Sequence, residues 1–104
     1  MIRVRFMTAD GLLTGFSLSG HAGMGEYGQD IVCASVSSAA LMTANTITEV
    51  IGATADIATG DGHLSVTVTS RIPNCQDVLS GFRLHIQAHA EEYPKAVQLM
   101  ISEV

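Results

Sequence analysis

The sequence predicts an α+β fold of order ββαββαβ, a mostly antiparallel sheet with two helices packed on one face. Three observations predict it. Alternating apolar segments flank Asp10-Gly11 near the start and Gly60-Asp61-Gly62 in the middle, the pattern of two hairpins. Each hairpin is followed by a stretch whose apolar residues recur three and four apart, the period of a helix. The last residues alternate once more and add a fifth strand.

Ile2, Val4 and Phe6 alternate with Arg3 and Arg5, as in a half-buried strand. After the Asp10-Gly11 turn, Leu12, Phe16 and Leu18 carry the second strand. A glycine-containing loop follows, with Gly20, Gly23, Gly25 and Gly28. The first helix pattern opens near Asp30, a good N-cap by residue type. Val32, Val36, Ala39, Ala40, Thr43, Ile47 and Val50 form its apolar face, and Gly52 is placed to end it. Residues 54–59 and 64–69 are strand-like. Asn74, after Pro73, is placed to cap the second helix. Val78, Leu79, Phe82, Ile86 and Tyr93 mark its stripe, and Pro94 stops it. Val97, Leu99 and Ile101 give the last strand.

A chain of 104 residues is read as one domain, residues 1–104, long enough to bury a core. Nearly half the residues are apolar and 14% are charged, which excludes a disordered chain. The net charge of −5, the absence of Trp and the lack of a basic run argue against direct nucleic-acid binding. No apolar run approaches about 18 residues, so no membrane span is expected. The alternating N-terminus lacks a signal-peptide core, and a cytoplasmic location is expected. Two cysteines do not make a disulfide framework.

The chemistry gathers where the second strand ends and the first helix begins. His21 opens the glycine loop and Cys33 follows it, and these are the residue types of a thiol nucleophile and its base. With Asp30 as N-cap, Cys33 lies in the first turn, where unpaired N–H groups and the helix dipole favour a thiolate and can hold an oxyanion. Asp30 can instead orient His21, though its charge would oppose thiol ionisation. Ser37, one turn beyond Cys33, can donate to the thiol or simply pack. The loop residues Gly20, Ala22, Gly23, Met24, Tyr27 and Gly28 are candidates to contact a substrate peptide, with residues 22–29 closing over it. Residue types alone leave Cys33 either a nucleophile or a small buried residue. Cys75 reads as structural. His85 and His89 are spaced i, i+4 and can ligate a metal, but no third ligand is evident, so a half-buried helix face is the reading taken. No metal and no cofactor are expected.

Gly20-His21-Ala22, then Gly28-Gln29-Asp30-Ile31-Val32-Cys33-Ala34, then Val36-Ser37 resemble the signature of the ribosomal-processing cysteine protease family Prp, also called the YsxB-like family. The resemblance extends over essentially the whole chain and departs at Ser35, where many relatives have Ala. It implies a small bacterial protease with Cys33 as nucleophile and His21 as its partner. Asp30 and Ser37 match motif positions as supporting residues. The implied substrate is the N-terminal extension of protein twenty-seven of the large ribosomal subunit, and the implied assembly is a homodimer. The alternative class is a non-catalytic ribosome-assembly or protein-binding module.

Overall fold

The computed structural model describes residues 1–20 and 27–103, and of residues 27–30 the backbone alone. Strands β1 (Ile2–Ala9) and β2 (Leu12–Ser19) form the first hairpin. Asp10 and Gly11 both have positive φ, 53° and 79°, as a two-residue hairpin turn with the right twist requires. Helix α1 spans Tyr27–Asn45 and continues as a wider π turn, Thr46–Val50. Strands β3 (Ala55–Gly60) and β4 (His63–Val68) form the second hairpin. A short 3-10 turn, Ile72–Cys75, leads into α2 (Gln76–Glu92), and β5 (Val97–Glu103) follows.

The sheet order is β3-β4-β2-β1-β5. Three neighbouring pairs are antiparallel, and β5 lies parallel to β1. This is the ββαββαβ order expected from the sequence, with one parallel pair at the end. Register brings like residues together: Phe6 opposes Phe16, Phe16 opposes Val66, and Val4 opposes Leu99. Phe82 from α2 packs on this layer, its ring 5.5 Å from Phe6 and 4.8 Å from Phe16, both edge-on. Edge-on contact suits the positive rim and negative face of aromatic rings. The core face of α1 is Val32, Val36, Ala40, Thr43 and Ile47, all buried. Small residues let the helix lie close to the sheet. Thr43 is tolerated there because its hydroxyl donates to the Ala39 carbonyl at 2.8 Å.

Four expectations are corrected. Helix α1 begins at Tyr27, so Tyr27, Gly28 and Gln29 belong to the helix and not to the loop, and Asp30 is its fourth residue and not its N-cap. A helix can start ahead of its apolar stripe because its first N–H groups need no partner within it. Asn74 does not cap α2. Its N–H bonds the Arg71 carbonyl inside the 3-10 turn, and Cys75 takes the cap position without a side-chain bond. The last correction concerns length. Ile31–Val50 is a twenty-residue helical stretch of mean hydropathy 1.4, long and apolar enough to cross a membrane by length and composition. Its Ala, Ser and Thr residues break up the visible apolar run without lowering the mean much. In this fold its Val32, Val36, Ala40 and Ile47 stripe is buried as the core helix.

Candidate active site

Helix geometry divides α1 into three faces. Residues at 32, 36, 40 and 47 face the sheet. Cys33, Ser37 and Leu41, one turn apart each, face a cleft at the end of the β3–β4 hairpin. Ser35, Ser38, Ala39 and Met42 face α2. The second face carries the candidate nucleophile.

The cleft holds about 380 Å³. One wall is Cys33, Ser37 and Leu41 from α1. The other is Leu18 from β2 and Gly20 just past its end, with Thr59, Gly60, Gly62, His63 and Leu64 from the second hairpin. β4 pairs with β2 so that Leu18 opposes Leu64 and Ser19 opposes His63. That register delivers the hairpin end to the thiol. Leu18, Leu41 and Leu64 give it apolar surface, and Ser37, Thr59 and His63 supply polar groups. A concave, largely apolar site with few polar groups is the usual form of a ligand pocket.

Gly20 fixes where the chain leaves β2. Its φ is +89°, its N–H donates to the Gly62 carbonyl at 2.9 Å, and a Cβ there would collide with the Met1 carbonyl oxygen. Only glycine meets both conditions. The segment that carries His21 therefore starts from a held point beside the cleft. His21, Ala22, Gly23 and Met24 lie outside the described residues, as do the side chains of Tyr27 and Asp30. Gly28 stands in the first turn of α1.

Cys33 is half-buried and Cys75 is buried, and both thiols are free. Cys33 is the seventh residue of α1, beyond the turn whose N–H groups lack helical partners. The expectation of a thiolate and oxyanion held by those first-turn N–H groups is corrected accordingly, since the dipole effect fades past the first turn. Burial pushes the Cys75 thiol up, with Arg71 opposing in part. A neutral, buried thiol is inert, which fits a structural Cys75.

Of the residues singled out in the sequence, Cys33, Ser37 and Gly20 line this cleft. Sequence reasoning missed Leu41, Thr59, Gly62, His63 and Leu64, because the hairpin was legible but its docking beside α1 was not. The turn residues at 60–62 were the available signal.

The family model for cysteine protease Prp matches residues 1–98. The chain belongs to the cysteine protease Prp family. It is accordingly a cysteine protease. Members similar to it include the ribosomal processing cysteine protease Prp of Staphylococcus aureus, 32% identical over 93 residues, which cover 86% of this chain and 88% of that one. Among solved structures, SMU.848 from Streptococcus mutans superposes with a TM-score of 0.89 at 31% identity, covering 100% of this chain and 96% of that one. The Staphylococcus aureus Prp bound to a covalently linked product peptide gives a TM-score of 0.88 at 31% identity, over 98% of this chain and all of that one. The same Prp with a substrate peptide gives 0.88 at 30% identity and the same coverage.

Proposed function

We propose that this protein removes the N-terminal extension of large-subunit ribosomal protein twenty-seven, in the cytoplasm, as a homodimer. The observation that carries this reading is the half-buried Cys33 thiol lining an open cleft in a chain of the Prp family. Related proteins bind substrate and product peptides, which supports a peptide in this cleft.

In this reading Cys33 is the nucleophile and His21 its base. His21 accepts the thiol proton, and the thiolate adds to the scissile carbonyl carbon. The tetrahedral intermediate collapses as His21 returns the proton to the leaving amine, which leaves a thioester on Cys33. Water, deprotonated by His21, hydrolyses the thioester and restores the thiol. Since Cys33 lies past the free N–H groups of α1, this reading gives the proton-accepting role to the imidazole and not to the helix. In the same reading Ser37, one turn along the same face, donates to substrate or thiol, and Asp30 orients His21.

The test is incubation with the organism's own ribosomal precursor, read by mass spectrometry. A single cut that frees the extension is expected from the parent protein and not from Cys33→Ala. An uncut precursor with the parent protein would overturn the substrate assignment.

A further inference from the structure

The face of α1 turned away from the cleft meets α2 through a polar cluster that proteolysis does not use. The Ser35 hydroxyl lies 2.9 Å from Nε2 of His89 and 3.4 Å from Nε2 of His85. Nδ1 of His89 lies 2.9 Å from the backbone carbonyl of His85. A carbonyl only accepts, so Nδ1 carries the proton and Nε2 presents a lone pair toward Ser35. The two rings are 4.3 Å apart, one helical turn from each other, and both are half-buried. Beside them opens a groove of about 520 Å³, lined in part by Ser38, Met42 and Gly81.

From this geometry we propose that His85 and His89 bind a divalent transition metal of the zinc, nickel or copper class. Nε2 of each ring is a ligand, and the Ser35 hydroxyl and water take the remaining positions. Two imidazoles at i, i+4 on one helix face can ligate a single ion. The bond from His89 Nδ1 to a carbonyl is the arrangement that sets the tautomer and aim of a metal-bound imidazole. Both Nε2 atoms approach one oxygen, so the two rings are aimed at one place between α1 and α2. The set contains no carboxylate, which disfavours magnesium and calcium. The sequence spacing of the two histidines shows no third donor because that donor comes from α1, fifty residues earlier than His85. An ion there ties α1 to α2.

Calorimetric titration of nickel chloride into the Cys33→Ala protein tests this, since the cleft thiol is itself a metal ligand. One saturable ion per chain is expected. His85→Asn and His89→Asn should each weaken it by about tenfold or more, and His21→Asn should leave it unchanged. Nickel should also raise the melting temperature of the Cys33→Ala protein and not that of the His85→Asn version. Two separate imidazole variants keep the test decisive if one of them fails to fold. No saturable binding below about 1 mM, or binding that persists in the folded His85→Asn or His89→Asn protein, overturns the site. Loss confined to His21→Asn would place the ion elsewhere and overturns it equally.

Discussion

At the scale of residues, the two cysteines are separated by environment. Cys33 borders an open cleft, while Cys75 is fully buried and its thiol is pushed up by that burial. A mild alkylator at neutral pH should therefore modify Cys33 first and leave Cys75 intact, as peptide mass mapping would read. Equal, slow modification of both would remove the case for an activated Cys33. Cys33→Ala should lower cleavage to background with the fold retained, whereas Cys75→Ala should keep activity. Gly20 carries a different constraint. Gly20→Ala forces a side chain into positive φ and against the Met1 carbonyl, a cost of about 1–3 kcal/mol. Activity should fall further than stability does, because the chain toward His21 leaves from this point. A Gly20→Ala protein with normal turnover would separate β2's exit from the chemistry.

At the scale of elements, one side chain hydrogen-bonds the start of α2 to β2. The Gln76 amide accepts from the Leu13 N–H at 2.8 Å and donates to the Leu13 carbonyl at 2.8 Å and the Ile72 carbonyl at 3.0 Å. It pairs with β2 as a neighbouring strand would, just past the register shift between Met7 and Thr8. Gln76→Ala leaves part-buried backbone groups without their partner, so a loss of about 1–3 kcal/mol is expected in denaturant unfolding. Gln76→Glu should cost as much, because a carboxylate cannot donate to the two carbonyls. A Gln76→Ala midpoint equal to the parent's would show that water replaces the amide without penalty. This joint was not legible in the sequence, where Gln76 is an ordinary polar residue after a proline. What was legible followed from periodicity. The Ile2-Val4-Phe6 alternation, the Asp10-Gly11 turn and the Val32-Val36-Ala40-Ile47 stripe all reappear as elements. The helix start was misplaced because Tyr27 and Gly28 have no apolar period to announce it. The far wall of the cleft was hidden because pairing of β4 with β2 is a long-range choice that no local pattern records.

At the scale of the molecule, the placement of apolar surface bears on assembly. The uncovered sheet face would be the natural seat for a partner if it were apolar, yet it exposes Arg3, Arg5, Thr67 and Gln98. Stable interfaces carry an apolar centre depleted of charge. Apolar side chains are exposed instead on the helical side, where Val50 at the end of the first helical stretch and Leu84 on α2 face outward. Val50 is 78% exposed and Leu84 67%, high values for aliphatic side chains on a chain of 5895 Å² total surface. A stable homodimer needs roughly 800 Å² from each partner, and the helical side is where this chain can supply it with apolar contact. Light scattering across dilution should give twice the chain mass for the parent protein. Leu84→Glu places a charge in the apolar centre and should shift the protein toward monomer, while Gln98→Glu on the sheet face should leave the mass unchanged. A monomer at all concentrations would refute the homodimer. A dimer sensitive to Gln98→Glu and indifferent to Leu84→Glu would put the partner on the sheet face, against the distribution of apolar surface.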